Sequence, residues 1–355
     1  MDVPIMSMYA AVFHKPFDLR VEQVAVPRVR EGDVLIEVEA TGICGSDIRV
    51  YKGEKAARQG NILGHEVAGT VERAGNKVPD IEVGERVAIY PVVFCGRCSF
   101  CLGGHPNMCE HRATLGYQLD GGMAEHMLVP ASMVSRGCIF KIPDKVPFEY
   151  AAITEPLACT VNSIDLCGVK TGSSLLIIGA GPMGLMNLLV ARAAGASKII
   201  VSEVNPDRLR MARELGADVV VDPTKERLIE VVKAETDGLG VDAAIPSVGQ
   251  PDVIEAALPA VKKRGIINIF AGSAPDAKIT FNPNIIHYNE LTLTANQNAP
   301  PRCFSRALEL MSSKQVDVGK LITHRFALGD VPEAFRSRIE KVGLKPIVIP
   351  RPHGG

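Results

Sequence analysis

Two hydrophobic periods divide the chain. In the N-terminal third, apolar side chains recur at every second position in short runs. Residues 8–13 and 19–22 predict strands, broken at Pro16 and Pro27, and a third segment alternates cleanly. There Val34, Ile36, Val38 and Ala40 share one face while Glu37 and Glu39 point the other way. Further strands are expected at 66–74, 86–90 and about 123–129, so this third is mostly antiparallel β. Near Pro147 the period becomes helical, through Ala151, Ala152, Leu157, Val161 and Ile164. From Ser174 the chain alternates strand and helix, with strands predicted at 174–179, 199–203, 218–221, 241–245, 265–270 and 291–295. Asn205-Pro206 and Pro223-Thr224 read as helix starts, a cap followed or preceded by proline. Six strands joined by crossover helices predict a doubly wound parallel sheet, and the fold class is α/β. A helix at 302–312 and a strand at 346–349 follow, the latter able to rejoin the N-terminal β region. The expected division is one domain over 1–152, with 297–355 returning to it, and a second over 153–296.

Composition narrows the functional classes. With 46% hydrophobic and 22% charged residues, a chain of 355 can build two cores and is not disordered. Its 39 basic and 40 acidic residues leave a net charge of −1, which gives no electrostatic case for nucleic acid or a membrane surface. The chain contains no run of 18 apolar residues, and Met1-Asp2-Val3-Pro4 is not a secretory leader, so a cytoplasmic location is expected. In that compartment the nine cysteines read as ligands or core residues and not as disulfides.

The most informative stretch runs from Ser174 through Gly179-Ala180-Gly181-Pro182-Met183-Gly184. It is a buried-type strand ending in G-x-G-x-x-G and opening a helix, followed by a second strand that ends at Glu203. That is the context of a dinucleotide site. Gly179 allows the turn, Gly181 lets backbone approach a pyrophosphate, and Gly184 lets helix and strand pack. The helix that starts at Pro182-Met183 offers unpaired N–H groups, from Met183 onward, to phosphate.

Four cysteines, Cys95, Cys98, Cys101 and Cys109, form C-x2-C-x2-C-x7-C. Four thiolates so close can enclose one metal tetrahedrally, as in a closed structural zinc site; an iron–sulfur cluster is the rival. Cys44 lies in a glycine-flanked turn at a strand end and His65-Glu66 in another, Leu63-Gly64-His65-Glu66. Taken singly, such a cysteine or histidine is an ordinary core residue.

Together these segments resemble the zinc-dependent medium-chain dehydrogenases, in their polyol (sorbitol-type) branch. The residues that carry the resemblance are Gly42-Ile43-Cys44-Gly45-Ser46-Asp47, Gly64-His65-Glu66, the four-cysteine lobe, Glu155-Pro156-Leu157 and the glycine-rich turn, in the family's order. The resemblance implies a GroES-like β catalytic domain and a Rossmann domain, with one catalytic and one structural zinc per chain. It implies catalytic zinc ligands Cys44, His65 and Glu66, with Glu155 binding the metal or holding its water; a helix-start carboxylate is the alternative for Glu155. Ser46 resembles the hydroxyl that begins the family's proton relay, and Asp47 a residue that holds the turn.

The activity so implied is oxidation of a secondary alcohol, a polyol or sugar derivative, to a ketone, with hydride passing to the nicotinamide. A carboxylate at Glu203 can accept from both ribose hydroxyls and repels a 2′-phosphate, so NAD is expected over NADP, although Arg208 lies close in sequence. A threonine-type amino-alcohol dehydrogenase and a zinc-free quinone or enone reductase are the alternatives. Two features depart from sorbitol-type members. Arg49 stands where they carry a relay histidine, and Ala295-Asn296-Gln297-Asn298-Ala299-Pro300 replaces their aromatic-arginine stretch. Arg49 is either a solvated charge or a group near the site that favours an anionic polyol. The family implies a homodimer or homotetramer.

Overall fold

The computed structural model describes residues 6–351; the leader reading of residues 1–4 lies outside them. The chain forms two units. One comprises Met1–Pro156, Pro300–Ser312 and Val318–Gly355, the other Leu157–Ala299 and Ser313–Asp317.

The first unit is built on two sheets. A three-stranded sheet pairs Ser7–Lys15 with Asp18–Ala25 and Asn61–Ile62. In the larger sheet Val34–Gly42 is central, flanked by Glu66–Ala74 on one side and Lys345–Ile349 on the other. Its alternation is realised as read: Val34, Ile36, Val38 and Ala40 are buried, while Glu37 reaches Arg351 and Glu39 accepts from Thr70. The C-terminal strand does return here, with Ile347 opposite Gly42 and Val348 opposite Thr41. Only His126–Val129 forms the strand expected at 123–129. Upstream of it, the Met123 carbonyl accepts from the Ala11 N–H and the Met123 N–H donates to the Leu63 carbonyl, tying the two sheets together. The helix Pro301–Ser312 belongs to this unit, where Phe304 packs on the rings of Tyr90 and Phe140. A strand at Ile322–Ala327 and a helix at Val331–Ile339 add to the expected tail.

The second unit is a six-stranded parallel sheet. Its spatial order is Val219–Val221, Lys198–Ser202, Ser174–Ile178, Val241–Pro246, Val261–Ile269, Thr292–Ala295. Strand order reverses between Ser174–Ile178 and Val241–Pro246, the switch point at which open α/β sheets bind ligands. Leu175, Leu176 and Ile177 are fully buried, as a strand covered on both faces requires. Asn205 caps Pro206–Glu214 by accepting from the N–H groups of Asp207 and Arg208. Pro223-Thr224 does not start a helix. The Asp222 carboxylate accepts from the backbone and hydroxyl of Thr224, which holds a turn, and helix begins only at Leu228.

A candidate metal centre and a candidate dinucleotide turn

Strand register brings the first group of ligands together. Gly42 lies directly opposite Glu66 in the ladder, so the turn after one strand and the turn before the next emerge side by side. The first turn carries Cys44, the second His65. Cys44 ends the turn by starting the helix Gly45–Tyr51, and its backbone N–H donates to Asp47 Oδ2 at 2.9 Å. The other oxygen of Asp47, Oδ1, meets His65 Nδ1 at 3.1 Å. Both residues are buried. This contact orients the imidazole so that Nε2 is the nitrogen left for a metal. One ligand atom each from Cys44, His65 and Glu66 lies within 4.8 Å of the others.

Glu66 is fully buried, and its two oxygens differ. Oε1 accepts from Lys345 Nζ, itself 3% exposed and also donating to the Ile43 carbonyl at 3.3 Å. Oε2 has no hydrogen-bond partner among the described residues. The carboxylate fits only because residue 42 is glycine; an added Cβ would stand 2.0 Å from Oε2. An unpartnered buried carboxylate oxygen beside a thiol and an oriented imidazole is a cation site by its donor set. The field agrees. Burial opposes protonation of His65, yet the charges of Asp47 and Cys44 overcome it and hold the imidazole well above its ordinary pKa. Zinc therefore fits Cys44, His65 and Glu66. Glu155, half-buried in the first turn of Thr154–Leu166, is not in this close group, though its charge reaches Lys55 and Tyr117.

Ser46 joins the cluster to a residue that sequence reasoning missed. Its Oγ donates to Cys44 Sγ at 3.1 Å and accepts from the Tyr117 hydroxyl at 2.7 Å. The Tyr117 hydroxyl is also 3.4 Å from His65 Nδ1. Desolvation, with the Asp47 and Cys44 charges, raises the phenol well above its ordinary pKa, so it stays a donor. Over the other side of the Tyr117 ring sits Lys55, its Nζ 3.6 Å from the centroid. The Arg49 side chain is 44% exposed and 3.8 Å from Glu54, though its charge still reaches Lys55.

The four-cysteine group is a separate lobe of the same unit. Sulfur separations are 3.4 Å for Cys98–Cys101, 3.9 Å for Cys98–Cys109 and 4.0 Å for Cys95–Cys101. Four sulfurs around zinc at about 2.3 Å stand roughly 3.8 Å apart, so the lobe has the size of a closed tetrahedral shell. Backbone N–H groups point at the sulfurs, from Cys98 to Cys95 and from Cys95 and His111 to Cys109. Such donors, chiefly Arg97 and then Cys98, bring the Cys95 thiol down to about 6, whereas burial pushes Cys101 up to about 12.

In the second unit the glycine-rich turn has the geometry of a phosphate cradle. Gly179 has φ +101°, and a Cβ there would meet Val248. A Cβ on Gly184 would stand 1.8 Å from the Gly179 carbonyl oxygen, so this helix and strand touch through glycine alone. Gly181, the cap residue of Pro182–Ala193, has open space beside it and supplies no side chain to the N–H groups of Pro182–Ala193, among them that of Met183. Glu203 is 9% exposed at the end of its strand. Its carboxylate already accepts from the N–H groups of Ala180 at 2.8 Å, Val204 at 2.8 Å and Asn205 at 3.0 Å. Arg208 lies half-buried on the following helix. After the fourth and fifth strands, Gly249 and Gly272 lie so close that a Cβ on the first would meet the carbonyl of the second, and Ser247 Oγ is buried without a partner. At 295–300, where the sorbitol-type members carry aromatic and arginine residues, Asn296 instead donates to the Cys159 carbonyl and accepts from Asn162.

With this geometry in hand, sequence comparison decides the family. The alcohol dehydrogenase GroES-like domain matches residues 30–144, and the zinc-binding dehydrogenase domain matches residues 182–313. The L-threonine 3-dehydrogenase of Pyrococcus furiosus is 35% identical over 90% of this chain and 92% of its own length. The chain belongs to the zinc-dependent medium-chain dehydrogenases. Its relatives include a D-arabitol-phosphate dehydrogenase of Enterococcus avium, 34% identical over 93% of both chains, and the sorbitol dehydrogenase of Bacillus subtilis, 32% identical over 94% of both. Among solved structures, a zinc-binding dehydrogenase from Sinorhizobium meliloti bound to NADP superposes with a TM-score of 0.91, at 32% identity over 97% of this chain and 100% of that one. An alcohol dehydrogenase from Escherichia coli in complex with NADH gives a TM-score of 0.89, at 29% identity over 97% and 99%. The chain is thus an oxidoreductase of the CH–OH class that uses zinc and a nicotinamide dinucleotide. Among the described residues, no helix is long and apolar enough to cross a membrane.

Proposed function

We propose that the protein oxidises a secondary alcohol of a polyol or sugar derivative to a ketone, with zinc held by Cys44, His65 and Glu66. The observation that carries this is the convergence of those three ligand atoms within 4.8 Å, with Asp47 on the far nitrogen of His65 and Ser46 against Cys44. Zinc bound there would act as a Lewis acid, lowering the cost of removing the substrate's hydroxyl proton near neutral pH. The rest is done by the chain. Asp47 keeps His65 Nδ1 engaged, so that Nε2 presents its lone pair inward. Ser46 Oγ is placed to accept the hydroxyl proton while releasing its own to solvent, and the Tyr117 hydroxyl, which donates to it, holds that oxygen in place. Glu155 acts from outside the close group by holding a water, and Lys345 keeps one oxygen of Glu66 occupied so that only the other faces the metal.

The dinucleotide, which supplies the hydride acceptor, would be held by Gly179, Gly181 and Gly184 with the helix start at Pro182 and Met183. The Glu203 carboxylate at the second strand end supports NAD over NADP. Arg208, on the same side of the strand end in sequence, would then contact the adenosine half. The cysteine lobe takes the structural zinc. Thiolates in these roles need a reducing compartment, which supports a cytoplasmic location. The strand Thr292–Ala295 is last in its sheet, which supports a homodimer or homotetramer continuing the sheet.

A threonine-type activity is the second reading, favoured by the identity to L-threonine 3-dehydrogenases. A panel of polyols, aldonic acids, sugar phosphates and threonine, followed by NADH absorbance, separates the two. Threonine as the best substrate rejects the polyol reading, and absence of turnover throughout rejects both. Elemental analysis should find about two zinc ions per chain, one for each ligand group.

A further inference from the structure

Lys55 stands within electrostatic reach of the metal-ligand cluster. Its ammonium lies 3.6 Å above the Tyr117 ring and, among the described residues, forms no ion pair. An ammonium partly withdrawn from water and resting on an aromatic face keeps most of its hydrogen-bonding capacity unused. Desolvation and the nearby Arg49 charge lower its pKa, while Cys44, Asp47 and Glu155 act in the opposite sense, which places it within the electrostatic reach of the metal ligands. The Tyr117 hydroxyl is 2.7 Å from Ser46 Oγ. With ordinary bond lengths, Ser46 Oγ is then within about 7 Å of the ammonium and a hydroxyl held at Ser46 within about 10 Å, so once the anion sits at hydrogen-bond distance from the ammonium, roughly a four-carbon chain spans the rest. Arg49, the other cation of this segment, is exposed and beside Glu54.

We propose that Lys55 binds an anionic group of the substrate, a carboxylate or a phosphate a few carbons from the reacting carbinol. This rests on the alcohol-oxidation reading above and narrows its substrate class. Lys55 is a cation within electrostatic reach of the metal ligands whose donors are not committed to an ion pair among the described residues, so a substrate anion can take them. A compact ammonium suits either anion as a point charge, without the planar fork that a guanidinium would impose. The ammonium already rests on the Tyr117 ring, so the head is held ready and little side-chain freedom is lost on binding.

The test uses the full-length, zinc-loaded protein with three matched compounds: a pentitol, its terminal phosphate, and the corresponding pentonic acid. kcat/KM is measured for the wild type, Lys55→Met and Lys55→Arg, with zinc content and circular dichroism recorded for each. The wild type should favour at least one anion over the neutral pentitol, and which anion it favours identifies the group. In Lys55→Met the anion-to-neutral ratio should fall roughly ten- to hundredfold, the range of a lost charge-assisted hydrogen bond, and chiefly through KM. Lys55→Arg should keep most of the ratio. A ratio unchanged in Lys55→Met overturns the proposal, as does a parallel loss for all three compounds, or a wild type that prefers the neutral pentitol. If no compound is oxidised, the alcohol-oxidation reading fails. Calorimetric binding of the pentitol phosphate and pentonic acid to wild type and Lys55→Met then decides the role of Lys55 separately: binding weakened tenfold or more upholds it, and equal binding rejects it.

Discussion

Replacing Lys345 with Met isolates one feature of the metal centre, the buried pair behind Glu66. Lys345 is 3% exposed and Glu66 fully buried. The pair is joined through Oε1, and Oε2 has no partner. The substitution keeps the volume of the stem but leaves a buried carboxylate with neither oxygen satisfied. Removing one member of such a pair costs about 3–5 kcal/mol, because the remaining charge stays in a low-dielectric site. At about 2–4 °C per kcal/mol for a unit of this size, the melting temperature should drop by roughly 10 °C. Scanning calorimetry of metal-stripped protein measures this. The same substitution in a Glu66→Gln background should cost only about 1 kcal/mol, since no charge is then stranded. Zinc loading should narrow the wild-type gap by giving Oε2 a cation. Equal costs in the two backgrounds, or a wild-type cost below about 1 kcal/mol, would refute the account of Glu66 as a carboxylate balanced from both sides.

Cys44→Ala should remove one zinc per chain and lower turnover by roughly a thousandfold or more, while NADH binding followed by fluorescence stays close to wild type, because the glycine turn belongs to other residues. Cys98→Ser should remove the other zinc and lower the melting temperature, because the Cys98 sulfur lies 3.4 Å from that of Cys101 and a closed shell contributes folding energy directly; unchanged zinc content would refute it. Glu203→Gln should raise kcat/KM with NADP relative to NAD about tenfold, and a ratio that does not move would show that the carboxylate does not select the ribose.

What could be read from the sequence was whatever depends on local spacing. The strand-turn-helix at Gly179–Gly184 and the four cysteines within fifteen positions report their geometry through residue intervals alone. So does the buried face of Val34, Ile36, Val38 and Ala40. Lys345 and Tyr117 were illegible for the opposite reason. Lys345 is 279 positions from Glu66 and meets it because the final strand pairs with Val34–Gly42, and no interval records that. Tyr117 is 71 positions from Ser46 and sits in a loop whose residues alternate with nothing. Its one signal, an aromatic between Gly116 and Gln118, is common to many turns. The helix start read at Pro223 failed locally: Asp222 offered Thr224 a better hydrogen-bonded turn than the helix did.

The centre as a whole is a problem in charge neutrality. With zinc bound, Cys44 as a thiolate ligand and the carboxylates of Asp47, Glu66 and Glu155 would place four negative charges in or beside a site where His65, Asp47 and Glu66 are almost water-free. No arrangement of hydrogen bonds offsets that many charges at low dielectric. Lys345 on one flank and Lys55 on the other offset two of them, and a divalent cation offsets the remaining two. The balance explains why the oxygen of Glu66 that faces the ligands is unsatisfied while the other is not, and why a lysine stands over Tyr117 without an acid of its own. It also sets the direction of the chemistry. With metal bound the site is close to neutral, so the negative charge that appears as an alcohol loses its proton is not repelled by the ligands that hold the metal. A second anion on the substrate would draw on the hydrogen-bond donors of the Lys55 ammonium, which among the described residues forms no ion pair.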